Sequence, residues 1–119
     1  MTTMAKNLTN DDLRYLSEAI ARLPPPPPPQ GKPDAARLAR AGEIAAARHC
    51  ARCHNPDYSG HDNVPRLAHQ REDYLLKALR DYRDGRRIGY GNAAMAETVA
   101  GLADEDLAAL AQMLAYWKR

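Results

Sequence analysis

Six consecutive prolines at residues 24–29 limit what this 119-residue chain can fold into before any other residue is considered. Each lacks a backbone N–H and holds φ near −65°, so neither a helix nor an inner strand passes through them. The run divides the chain into an N-terminal stretch, 1–23, a Pro-rich linker, 24–33, and a longer stretch, 34–119. Such a run favours an extended polyproline II rod, about 19 Å long at about 3.1 Å per residue. A ligand for a small proline-recognition domain is the competing use. No flanking motif supports that use, and the run reads as a semi-rigid linker.

Helical periodicity marks both sides of the linker. Leu13, Leu16, Ile20 and Leu23 predict a helix over 9–22, with Thr9 and Asp12 placed as a capping box. After the linker, Asp34 is placed to cap a helix running to about His49, with Leu38, Ala41, Ala45 and Arg48 along one side. Residues 55–70 read as loop. A further helix is expected over 71–84, with Tyr74, Leu75, Ala78, Leu79 and Tyr82 on one face and Gly85 closing it. Residues 86–94 read as loop, and a last helix is expected over 104–117 with Leu107, Leu110, Ala111 and Leu114 in step. No stretch alternates as a strand does, so the fold class is all-α.

Charge and hydropathy exclude some functions. Lys and Arg number 17 against 15 Asp and Glu, a balance that gives no concentrated basic face for nucleic acid. No apolar run approaches the roughly 18–20 residues of a transmembrane helix. Residues 1–6 lead into polar sequence, so no signal peptide is read in this chain.

The chemistry concentrates at Cys50-Ala51-Arg52-Cys53-His54, which holds the two cysteines of the chain. Two thiols in a CxxC pair followed by histidine form the attachment pattern for a c-type haem. Each thiol forms a thioether to a vinyl group, and the adjacent imidazole ligates the iron. A thioredoxin-like redox site would want the pair after an apolar strand, and zinc usually wants four ligands; neither pattern is present. Aromatics make up 6% of the chain with no Phe, and mean hydropathy is −0.62. A buried macrocycle would supply the missing apolar mass, although a small helical bundle is nearly as compatible with such a composition. Covalent haem attachment normally follows export, which implies a periplasmic setting and a signal sequence upstream of this chain.

The chain also repeats itself. Residues 1–23 align without gaps on 95–117, pairing Met1 with Met95, Leu8 with Leu102, Asp12 with Asp106, Leu13 with Leu107, Leu16 with Leu110 and Ala21 with Ala115. Amphipathic helices align by accident, but a shared methionine seven residues before a shared leucine is not a helix-pattern effect. The N-terminal stretch therefore reads as the tail of a preceding, truncated copy of the same domain.

Taken in order, the CxxCH motif, Val64-Pro65-Arg66-Leu67 with Gln70 and Tyr74, Gly85-Arg86-Arg87, and Met95 with residues 101–107 resemble the class I cytochrome c family. Among its branches the chain looks most like the bacterial cytochromes c4 and c553, and the resemblance covers roughly residues 35–118. It implies one covalent haem c held by Cys50 and Cys53, with His54 as proximal ligand and the Pro65 carbonyl fixing that imidazole. It implies Met95 as distal ligand, ahead of Met113, Met1, Met4, His49, His61 and His69. Gly42 matches the family glycine at the crossing of first and last helices, while Ala46 and Met113 stand where the family usually has aromatics. Ala103 replaces the usual cap of the last helix, leaving Asp104 as a shifted cap. Gln70, Arg86, Arg87 and Tyr90 are candidates for haem propionates.

The implied function is one-electron transfer in a bacterial electron-transfer chain, not enzyme catalysis, with redox proteins or a neighbouring haem domain as partners. A peroxidase or ligand-binding haem domain is the alternative and would need Met95 off the iron. The apolar face over 9–22 also leaves dimerisation through the N-terminal helix open.

Overall fold

The computed structural model describes residues 1–89 and 91–118. Those residues form seven helices: α1 Thr2–Ala5, α2 Asn10–Ala21, α3 Ala35–Ala47, α4 Cys50–His54, α5 Glu72–Arg83, α6 Ala93–Val99 and α7 Asp104–Ala115. Among them no strand forms; His61 and Val64 make an isolated antiparallel bridge. The expected all-α fold is the fold found.

Helix α7 is the hub, packing on both α3 and α5, while α6 lies on α5. An amphipathic helix normally buries one stripe, but eight residues of α7 are buried, from Leu107 to Ala115. Leu107, fully buried, and Leu110, Ala111 and Leu114 form the stripe legible in the sequence; Ala109, Met113 and Ala115 extend it. The packing face of α3 is Ala41, Ile44 and Ala45, set against α7 and its buried alanines Ala109, Ala111 and Ala115. Leu75 and Leu79 of α5 and Val99 of α6 complete the cluster.

Several expectations change here. Gly42 is not the close-approach residue: it is exposed, and a Cβ built on it would meet nothing within 4 Å. Ala46 is exposed as well, so the crossing uses the neighbouring positions Ala41 and Ala45. Helix α3 stops at Ala47 rather than His49, because His49 turns left-handed at φ 55° and Cys50 starts a new helical turn. Tyr74 points away from the core at 48% exposure, and half-buried Leu76, not expected on that face, packs on the core beside the expected Tyr82. Helix α6 is an addition: its first two residues fall in the stretch read as loop, 86–94, and the rest of it carries no sequence expectation. Ala103 caps α7 without a side-chain bond, and Asp104 is not a shifted cap: its carboxylate accepts from Arg80 and Arg83 of α5.

The linker is tied to the end of α7. His69 lies between two carbonyls, its Nδ1 3.1 Å from Pro26 O and its Nε2 2.9 Å from Trp117 O. The Tyr116 hydroxyl donates to Gln30 O at 3.4 Å, and Asp34 N donates to the buried Gln112 side chain at 3.1 Å. Asp34 also caps α3 by accepting from Arg37 N at 2.8 Å.

Beyond the linker, α1 and α2 pack on no other helix among the described residues. Helix α2 carries the expected capping box, Asp12 N to Thr9 Oγ1 at 3.2 Å and Thr9 N to Asp12 Oδ2 at 2.8 Å. Its Leu13 and Leu16 are 43% and 42% exposed. The radius of gyration, 16.0 Å, exceeds the roughly 13.5 Å of a compact domain this long, as a projecting arm requires. In the alignment of the two ends, Asn10–Ala21 falls on Asp104–Ala115, so α2 and α7 start and stop at matching positions.

Candidate haem attachment site

The single turn of α4 sets both thiols and the imidazole within five residues. Cys50 is half-buried and Cys53 exposed, and neither is in a disulfide. Burial pushes the Cys50 thiol above its ordinary pKa. A thioether at that position carries no charge, so a sulfur held there costs nothing further in desolvation. His54 is 5% exposed, and its Nδ1 lies 2.9 Å from the Pro65 carbonyl. A carbonyl only accepts, so Nδ1 carries the proton and the lone pair resides on Nε2. That is the tautomer an iron ligand needs.

The loop from Asn55 to Pro65 builds this contact. Asn55 adopts φ 68°, and its amide donates to Ser59 Oγ (3.1 Å) and Gly60 O (3.0 Å). Gly60 N returns to His54 O at 3.1 Å, and His61 pairs with Val64. Gly60 has φ +72°, and a Cβ there would lie 2.5 Å from Val64 O and 2.6 Å from Pro65 C. Only glycine lets the two backbones touch at this point. Tyr58 is buried edge-on against Trp117, with ring centroids 4.6 Å apart, and its carbonyl accepts from Leu67 and Ala68. The sequence marked Ser59-Gly60 as turn chemistry only. The left-handed Asn55 and the backbone contact at Gly60 need the fold to be seen.

Two thiols on one turn and a buried imidazole with Nε2 as its lone-pair nitrogen are the donor set that a covalent haem takes. Met95 stands on a separate helix, α6, half-buried and packed against the core. Its competitors are otherwise engaged. Met113 is buried in α7, Met1 and Met4 are exposed on the arm, His61 pairs with Asp62, and both ring nitrogens of His69 face carbonyls. His49 is exposed and stands directly before α4, next to Cys50.

Of the propionate candidates, Gln70 accepts from Arg71 N at 2.8 Å, and Arg86 is paired with Asp81 and Asp84. The Arg87 guanidinium lies 4.7 Å from the centre of the Tyr82 ring, a cation–π contact. Tyr90 lies outside the described residues.

Comparison with known proteins follows this geometry. The Cytochrome c family model matches residues 38–116. Cytochrome c4 of Azotobacter vinelandii is 31% identical over 121 residues, covering 96% of this chain and 58% of that protein. Cytochrome c-554(548) of Halomonas halodenitrificans is 42% identical over 77 residues, covering 60% of this chain and 92% of its own length. The crystal structure of reduced recombinant cytochrome c4 from Pseudomonas stutzeri superposes with a TM-score of 0.77 at 25% identity, over 98% of this chain and 65% of that one. The chain thus spans about three fifths of the length of these cytochrome c4 relatives, and 92% of the shorter relative is matched within it. Haem c is the cofactor these matches carry, Cys50, Cys53 and His54 supply its attachment pattern, and the chain belongs to the cytochrome c family.

Proposed function

We propose that this chain is a one-electron carrier module in which His54 and Met95 would hold the iron of haem c. Bound haem c supplies a one-electron couple. The chain's own residues do the rest. Pro65 holds the Nδ1 proton of His54, which keeps Nε2 as ligand and raises its basicity. Met95 offers a neutral thioether, a ligand that favours the reduced state and raises the potential. An iron held by both His54 and Met95 would leave no position for a substrate, and the peroxidase alternative gains no support from relatives that are electron-transfer cytochromes. The observation that carries the reading is the 2.9 Å contact of His54 Nδ1 with Pro65 O directly behind the CxxC pair.

Intact mass and the visible spectrum of the purified chain test it together. The expected result is one covalent haem per chain and a low-spin spectrum with the far-red methionine-to-iron band. A high-spin spectrum would move the function to the open-site alternative.

The partners are redox proteins, and the setting is the bacterial periplasm, where covalent attachment takes place; the named relatives are bacterial proteins. In this reading the chain divides into the tail of a preceding cytochrome domain (1–23), a Pro-rich linker (24–33) and a class I cytochrome c domain (34–119). The longer relatives support that division, as do the matching bounds of α2 and α7. Leu13 and Leu16, exposed on α2, align with Leu107 and Leu110, both buried under α3 and α5. The face of α2 is thus shaped for a domain like this one. Deleting residues 1–29 is expected to leave a haem-containing domain melting within about 3 °C of the full chain, since among the described residues α1 and α2 pack on no other helix and the proline run touches the domain at Pro26 O, beside His69. Collapse of the core would make the N-terminal helix integral to the domain. Size-exclusion chromatography of the full chain separates a monomer from a dimer formed through α2.

A further inference from the structure

The charged side chains at the C-terminal end of α5 form one connected network. Asp81 accepts from Lys77 and, at 3.1 Å, from Arg86 Nε. Arg86 Nη2 reaches Asp84 at 2.9 Å; Asp84 pairs with Arg83 at 2.8 Å; Arg83 and Arg80 both pair with Asp104 of α7. The Asp81 backbone joins in, its carbonyl accepting from Arg86 N at 2.8 Å and Arg87 N at 2.9 Å. Asp81 therefore closes the turn 81–87 from its main chain and its side chain at once, and its side chain is 17% exposed.

That turn opens the segment leading to α6, the helix of Met95. The two ends of α6 are held differently. Val99 is buried in the core, Ala100 O accepts from Arg48 at 3.3 Å, and Leu102 O accepts from Arg83 at 3.3 Å. At the other end the chain enters α6 through Gly89 and Gly91, both at positive φ, with Asn92 N bonded to Gly89 O at 3.2 Å. A segment with two glycines loses much conformational freedom when ordered, so its path depends on how firmly its start is fixed.

We propose that Asp81 and Arg86 are positioning residues for Met95: their ion pair fixes the departure of the chain from α5 at Arg86 and Arg87, and through it the methionine-bearing end of α6. This rests on Met95 as the distal ligand. Single exposed ion pairs contribute little, but a connected network anchored on a largely covered carboxylate is the case in which they matter. Lys77 first, and then Arg86, hold the Asp81 carboxyl below the usual carboxylate range.

The test is the rate at which added imidazole displaces the methionine thioether in the ferric holoprotein, followed by loss of the far-red band. The rate reports how often the methionine end of α6 opens. Asp81→Asn and Arg86→Gln are each expected to raise it about threefold, and the double variant by less than the product of the two. Asp73→Asn, which breaks the separate Arg71 pair at the other end of α5, is the charge-loss control and is expected to keep the parent rate. Parent rates in both Asp81→Asn and Arg86→Gln would overturn the proposal, as would an equal acceleration in Asp73→Asn. Met95→Ala separates this failure from failure of the ligand assignment. A far-red band that survives Met95→Ala removes the assignment and the proposal together. A band lost in Met95→Ala but exchanging at the parent rate in the network variants removes the proposal alone. Arg86 is 61% exposed, so Arg86→Gln leaves the core untouched and remains informative if Asp81→Asn folds poorly.

Discussion

Gly60→Ala is expected to cost the holoprotein about 2–4 kcal/mol and to loosen the hold of Pro65 on His54. Two effects combine. The residue has φ +72°, where an L side chain is strained, and the new Cβ would fall 2.5 Å from Val64 O and 2.6 Å from Arg66 N. Both neighbours are backbone, so no side chain can rotate aside. The strands of the loop must part, and Gly60 N, bonded to His54 O, moves with them. Thermal denaturation checks the magnitude: a fall of roughly 10 °C or more is expected for a domain of this size. Gly42→Ala is the matched comparison. In α3, with open space around its Cβ, it is expected to stabilise by about 0.5–1 kcal/mol, the ordinary gain of alanine over glycine in a helix. Equal melting temperatures for Gly60→Ala and the parent would show that the loop yields without strain.

Met95→Ala is expected to abolish the far-red band and to lower the reduction potential by about a tenth of a volt or more, a modest part of the roughly 0.8 V over which axial ligation sets haem potentials. Loss of a neutral, soft ligand leaves the ferric state relatively better solvated, which fixes the sign. Redox titration with the ferric spectrum measures both quantities. An unchanged band would assign the distal position to another residue. Met113→Leu is the control, since Met113 is packed inside α7 and its replacement conserves volume.

Local chemistry was legible in the sequence, and long-range register was not. Thr9 with Asp12, and Asp34 ahead of Ala35, act within three residues of themselves, and both caps appear as read. The stripe from Leu107 to Leu114 was visible because its period is that of a helix. The CxxCH motif and Pro65 were legible through chemistry and resemblance, and the His54 to Pro65 contact is present. Gly42 misled because the family register places the crossing glycine eight residues before the first cysteine. Here the helix breaks at Arg48 and His49, and the packing face falls on Ala41 and Ala45. Helix α6, seven residues long, offers too few turns for periodicity to register. Asp104 looked like a cap because of where it stands in the sequence. Its partners Arg80 and Arg83 are more than twenty residues away, and only the α5 to α7 packing brings them to it.

The central place of α7 has a consequence for the order in which the molecule is made. Its contacts with the other half of the core span long stretches of chain: Arg40 to Asp106 closes 66 residues and Asp34 to Gln112 closes 78. Such loops cost entropy before any contact rewards it, so core formation is slow and waits for the later helix. Covalent attachment follows export, when the whole chain has already been made, so the loops that must close are those of a finished chain. With the core slow to form, Cys50, Cys53 and His54 stay open to attachment until α7 docks on α3 and α5.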